Sequence, residues 1–271
     1  MAKRLRCMGL LARETIREVL IHNRWFHVCV WGLLIFVLAG RFLTDLPLGS
    51  SAPKLLYDLG QGTIMSVSGT VLIILLSYHL LNELDTGAAQ TYLVRRVSRG
   101  DYLVGKLLGC WLAVVLLVFL ADGLLAVLVA GEMSELIESG DLISALGITG
   151  WLQLFLFQLL HLLILASLTV LLVSISTSFL FAALSSLLLW SAGLLMGAAT
   201  DLSGSLEGLG GFFIQAARFI IPRFEVWDVS NSIWYAGTLP VSEVLRTGVF
   251  GLLYGSFLIL LAIVCFNRRD L

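Results

Sequence analysis

The chain has 271 residues, of which 59% are hydrophobic and 13% charged, with a formal net charge of −1 and a mean hydropathy of +0.98. Soluble domains carry about 25% charged and about 45–50% apolar residues, so a water-soluble fold could not hide this much Leu, Val, Ile and Phe, whereas lipid accepts an apolar outer face. The balanced charge points to no nucleic-acid partner, and four cysteines without paired spacing, with four histidines and no HExxH, point to no structural metal site.

Residues 8–24, MGLLARETIREVLIHNR, place Met8, Leu11, Ile16, Val19 and Leu20 mostly on one helical face and Arg6, Arg13, Glu14 and Arg17 toward the other. That pattern fits a helix lying in the membrane interface; the plainer reading is a basic juxtamembrane tail that sets topology. The first 24 residues hold no uninterrupted apolar run of signal-peptide type, which predicts a retained N-terminus.

A spanning helix needs about 20 mostly apolar residues, and six stretches qualify: 26–43, 63–81, 107–130, 148–173, 178–199 and 244–266. The fourth and fifth are separated only by Ser174-Ile175-Ser176-Thr177-Ser178, which predicts a tight hairpin at one membrane surface. In the loop at 200–243, the stretch 210–235 is too apolar for a free loop and Pro222 divides it. It predicts short helices that dip into the outer leaflet or cap the bundle, with Phe224, Trp227, Trp234 and Tyr235 as interfacial aromatics.

Orientation follows from Lys and Arg. Lys3, Arg4, Arg6, Arg13, Arg17 and Arg24, then Arg95, Arg96, Arg99 and Lys106, then Arg268 and Arg269 fall on one side, twelve of the 17 basic residues. The loop after the third span carries Glu132, Glu135, Glu138 and Asp141 instead. Both termini are therefore expected in the cytoplasm. Cys7, Cys29, Cys110 and Cys265 all fall toward that side, where a reducing compartment leaves thiols unpaired.

The stretch GDYLVGKL (100–107) matches the phosphate-binding loop except that Leu107 stands where a magnesium-binding hydroxyl belongs. No strand precedes it, so no ATP site is expected in this chain. The connection 82–106 packs Glu83, Asp85, Arg95, Arg96, Arg99, Asp101 and Lys106 between two spans. It reads as a compact docking helix or as a solvated loop that obeys the positive-inside rule.

Here Glu83, Thr86 and Gly87, then Arg96-Val97-Ser98-Arg99, then Tyr102-Leu103-Val104-Gly105-Lys106 closely resemble the ABC type-2 permease family, the membrane subunits of ATP-binding-cassette exporters. The opening ARETIREVLIHNRWFHV is similar to that family's interfacial connecting helix, and six spans with short outer helices before the last complete the likeness. Ala88 and Ala89 depart from the family's usual Thr and bulky apolar residue, and Arg95 from a frequent Pro. The resemblance implies an all-α polytopic fold with six transmembrane helices, an N-terminal interfacial helix over 1–25, a cytoplasmic coupling helix within 82–106 and short outer helices in 200–243. It implies a multi-pass permease in the bacterial inner membrane, surrounded by lipid and dimerised with a second copy or a related chain. An outer-side accessory protein is a further partner it allows. ATP and Mg would be bound by a cytosolic partner ATPase and no cofactor by this chain; Glu83, Gly87, Arg95, Arg96, Ser98 and Arg99 would contact that ATPase.

Polar residues inside spans are costly. Asp122 falls in the third span, Gln158 and His161 near the middle of the fourth, and His79 near the cytoplasmic end of the second. They read either as a polar patch along a translocation path, with an Asp122–His161 pair, or as interhelical hydrogen bonding. The spacings Gly105/Gly109, Gly193/Gly197 and Gly251/Gly255 let helices approach closely, within the bundle or at a dimer interface. Two other functions compete: a non-transporting subunit that passes ATPase motion to an outer partner, and an intramembrane hydrolase built on Ser66 or Ser68 with His161.

Overall fold

The computed structural model describes residues 2–43, 52–87, 97–138, 147–203 and 222–268. Among these residues there is no strand. Eight helices follow in order: α1 (Ala2–Arg17), α2 (Arg24–Ala39), α3 (Ala52–Asp85), α4 (Arg99–Glu138), α5 (Ile148–Ile175), α6 (Phe179–Ser203), α7 (Ser230–Ala236) and α8 (Val241–Asn267). All but α1 and α7 are long and apolar enough to cross a membrane, which makes this an all-α, multi-pass membrane fold.

Two spans extend well beyond the apolar stretches that reveal them in the sequence. At about 1.5 Å per residue, the 34 residues of α3 and the 40 of α4 exceed a hydrocarbon core of about 30 Å. The connection expected as 82–106 is correspondingly shorter: α3 runs to Asp85 and α4 begins at Arg99. The stretch 100–107 is thus continuous helix rather than a phosphate-cradling loop. Residues 88–96, with Arg95 and Arg96, lie outside the described residues.

The spans alternate in direction, so the bundle has one end at Glu83 and an opposite end at Asp58. The helices α3 and α5 form its interior, 67% and 72% of their apolar windows being buried, against 22–28% for α2, α6 and α8. The helix α5 packs most extensively on α8, while α4 lies between α3 and α1.

The buried side of α1 and the turn after it is Leu11, Ala12, Thr15 and Val19, a three-to-four-residue repeat. Gly105 and Gly109 of α4 receive it so closely that an added Cβ would lie 2.8 Å from Leu11 Cβ and 2.6 Å from Thr15 Cβ. A π-helical turn, Glu18–His22, then leads into α2, where the Asn23 side chain accepts from Phe26 N–H at 3.3 Å and caps the helix. The α5–α6 hairpin is three residues, Ser176–Ser178, stitched by Ser176 Oγ, which accepts from Ser178 N–H at 3.2 Å.

Of the four aromatic residues expected at the membrane interface, three differ from expectation. Phe224, Trp227 and Trp234 are buried, and only Tyr235 is well exposed, at 70%. Phe224 packs on the His161 ring at 4.9 Å between centroids, and Trp234 lies 4.8 Å from the Tyr57 ring. A short 3₁₀ turn (Phe224–Trp227) and α7 therefore plug the Asp58 end of the bundle, the capping arrangement of the two expected for this segment. Gly193 admits this plug: a Cβ there would lie 2.4 Å from the Pro222 carbonyl oxygen and 2.6 Å from Phe224. Gly251 likewise faces Trp227 and Ile164 within the chain. Gly197 lies one turn beyond Gly193 in α6.

Candidate functional site

At the Glu83 end, Glu83, Gly87, Ser98, Arg99, Tyr102 and Lys106 form a clamp. Gly87 adopts φ +72°, and its N–H reaches the Leu84 carbonyl at 3.2 Å, ending α3 with the left-handed residue such a stop favours. Ser98 starts α4: its Oγ accepts from Asp101 N–H at 3.1 Å and its carbonyl from Tyr102 N–H at 3.0 Å. Arg99 donates to the Asn267 carbonyl at 3.1 Å, placing a cation on the negative end of the α8 dipole.

Glu83 is turned inward. Its carboxylate accepts from the Tyr102 hydroxyl at 2.8 Å and pairs with Lys106, and the Glu83 and Lys106 side chains are only 12% and 4% exposed. Tyr102 in turn stacks on Phe266 of α8, with ring centroids 6.3 Å apart. The resemblance implies a contact between Glu83 and an ATPase; within the chain its side chain joins α3 to α4.

His79 Nδ1 approaches Glu18 Oε2 at 3.7 Å, and Glu18, His79 and Glu83 bring potential ligand atoms within 4.8 Å of one another. The Lys106 ammonium already neutralises Glu83 there, and Glu18 is exposed, so the cluster offers a metal little net negative charge.

The second constellation lies toward the Asp58 end, inside the bundle. Asp122 of α4 accepts from Gln61 Nε2 of α3 at 3.0 Å and from Gln158 Nε2 of α5 at 3.4 Å. Gln158 Nε2 also donates to Gln61 Oε1 at 2.5 Å. Three helices are thus tied by one carboxylate and two amides, with Asp122 and Gln158 only 6% and 4% exposed. Two acceptors remain without a hydrogen-bond partner: Asp122 Oδ2 and Gln158 Oε1.

The expected Asp122–His161 pair does not form. His161 Nε2 accepts instead from Trp190 Nε1 of α6 at 2.9 Å, since one helical turn beyond Gln158 faces α6 rather than α4. With that nitrogen engaged and Ser68 Oγ lacking any hydrogen-bond partner, no serine–histidine dyad is assembled. Gln61 was missed because its polar neighbourhood sets the apolar run two residues after it; the only signal was its spacing from the span start.

A cleft of about 440 Å³ opens beside this network, lined by Asp58, Gln61, Gln158, His161, Trp190 and Trp227 among others. Another recess, about 640 Å³, lies between the π-helical turn, α2 and α3, against Trp25, Tyr78 and His79. Searches against protein-family models and curated proteins find no match to this chain.

Proposed function

We propose that this chain is the membrane-spanning subunit of an ATP-binding-cassette exporter of the type-2 permease kind, in a bacterial inner membrane with both termini in the cytoplasm. Separate cytosolic ATPases would bind ATP and Mg and act on the connection between α3 and α4. The chain would supply the pathway and the lever, not the hydrolysis.

The observation that carries this reading is the clamp at the Glu83 end. Among the residues that resemble the permease motif, Glu83, Arg99, Tyr102 and Lys106 bind the ends of α3, α4 and α8 to one another. A buried, hydrogen-bonded ion pair resists being pulled apart, since removal of one partner costs about 3–5 kcal/mol. A push on the 88–97 connection would therefore move three spans as a unit instead of bending a loose loop. The helix α1, seated in the Gly105/Gly109 groove, would move with them. The exposed apolar faces of α2, α6 and α8 suit lipid and a second permease copy or related chain.

The test is to tag the chain in its native membrane, extract it gently and identify what co-purifies. The expected partner is a soluble ATPase with a complete phosphate-binding loop, lost on charge reversal of Arg95 and Arg96. Recovery of the chain alone under several mild detergents would overturn the reading.

A further inference from the structure

We infer that the recess between the π-helical turn, α2 and α3 binds a phospholipid whose headgroup carries an N–H ammonium beside its phosphate. Glu18 receives the ammonium, Arg24 the phosphate, and the apolar wall of α3 an acyl chain. This rests on the multi-pass fold and on the geometry of the recess, and is independent of the exporter reading.

The recess holds about 640 Å³, within the range of small-ligand pockets. Its walls change character with depth. Glu18, His22 and Arg24, all exposed, gather on the turn that leads into α2. Val71, Ile74 and Leu75 line it on α3, where Val71 lies about 12 Å deeper in the span than His79. Trp25, 81% exposed, and Tyr78, 49% exposed, stand at the charged end, the level at which amphipathic rings meet headgroups. A charged mouth above an apolar wall, at the end of a span, has the polarity order of a phospholipid.

The charges select the headgroup. Glu18 and Arg24 line one recess without pairing with each other, and among the described residues the Arg24 side chain has no hydrogen-bond or ion-pair partner. The contact between Glu18 and His79 Nδ1, at 3.7 Å, is too long for a hydrogen bond, and the Glu18 side chain is 52% exposed. Both charges are therefore open to an occupant of the recess. The guanidinium fork suits a phosphate, and Arg24 stands on the first turn of α2, where the helix dipole favours an anion as well. A purely anionic headgroup would satisfy Arg24 and set a like charge against Glu18. A headgroup with both phosphate and ammonium gives each side chain a charge-assisted hydrogen bond.

Three lipids with identical acyl chains separate these contributions. Phosphatidylethanolamine offers the phosphate and ammonium N–H donors, phosphatidylcholine the same charges without an N–H, and phosphatidylglycerol the phosphate without an ammonium.

The experiment presents the full chain, purified in detergent without nucleotide or ATPase, with the three lipids in equal amounts, and counts the lipid retained by native mass spectrometry. Phosphatidylethanolamine is expected to be retained about fivefold over either comparator, the scale of one partly exposed ion pair. Glu18→Gln should bring phosphatidylethanolamine and phosphatidylglycerol to parity, and Arg24→Gln should lower retention of all three lipids by about fivefold. Equal retention of the three by the parent chain overturns the inference, as does a preference that Glu18→Gln leaves untouched or a retention that Arg24→Gln leaves untouched. Displacement of the bound lipid by an equal concentration of water-soluble glycerophosphoethanolamine would also overturn it, because the apolar wall would then hold nothing. Both substituted side chains are exposed, and the lipid series on the parent chain decides the matter even if a variant fails to fold. None of these outcomes bears on whether an ATPase co-purifies.

Discussion

Gln158 Nε2 lies 2.5 Å from Gln61 Oε1, a contact between α5 and α3 across 97 positions of chain. The same amide reaches Asp122 of α4, so a single side chain connects three membrane-spanning helices at one depth. Lipid offers no water to replace these bonds, which makes the network both a structural tie and a polar surface beside the cleft.

The first prediction concerns that tie. Interhelical hydrogen bonds in membranes contribute about 0.6 kcal/mol on average and about 1.7 at most. Gln61→Leu and Gln158→Leu are each expected to destabilise the chain, and a double-mutant cycle should return a coupling within that range. Unfolding in mixed detergent micelles measures it; a coupling of zero would make the contact incidental.

A second prediction tests the clamp. Lys106→Met alone should cost about 3–5 kcal/mol, because it strands the Glu83 carboxylate at a site with little solvent. Glu83→Leu combined with Lys106→Met should regain most of that stability, since apolar replacement of a buried pair is often neutral. If the double variant restores stability but not coupled ATPase activity, the pair acts as a lever and not only as packing.

The third concerns Gly69 of α3. A Cβ there would lie 2.4 Å from the Trp190 ring, whose Nε1 is held by His161. The ring cannot retreat without breaking that bond. Gly69→Ala should therefore cost about 1–3 kcal/mol as overpacking, and Gly69→Ala in a Trp190→Phe background should cost less. Thermal unfolding of the two pairs gives the comparison.

The six spans were legible because a run of about 20 consecutive apolar residues has the length and chemistry that a bilayer crossing demands. Their ends were not, because hydropathy reports where lipid is, and the helices continue beyond it, α3 through Ala52–Gly62 and Asn82–Asp85 and α4 through Arg99–Lys106. Gln61 was lost for that reason. Asp122, Gln158 and His161 were recognisable as costly residues within spans, but their partners depend on helix rotation, which an all-round apolar sequence such as α5 does not encode in its pattern. The burial of Phe224 and Trp227 was illegible for a similar cause: an amphipathic aromatic near a membrane surface suits a lipid interface and a protein interior equally well. The glycine pairs announced close approach without saying to what.

The last prediction separates a docked α1 from a loose interfacial tail. Leu11 Cβ and Thr15 Cβ stand where side chains on Gly105 and Gly109 would begin, and a Cβ on Gly109 would also come within 3.0 Å of the Ala12 carbonyl oxygen. These are atoms on or next to the α1 backbone, so no side-chain rotation relieves the overlap; α1 must lift as a body. Gly105→Ala with Gly109→Ala should weaken its docking by about 1–3 kcal/mol, which corresponds to amide exchange in residues 7–17 faster by about 5- to 150-fold. Exchange in α3 and in α5 should be unchanged, because neither touches that groove. Mass-spectrometric hydrogen exchange on the chain in nanodiscs reads both. Equal exchange in the variant and the parent would mean that α1 is held by lipid and not by α4, and it would remove α1 from the set of elements that move with the clamp.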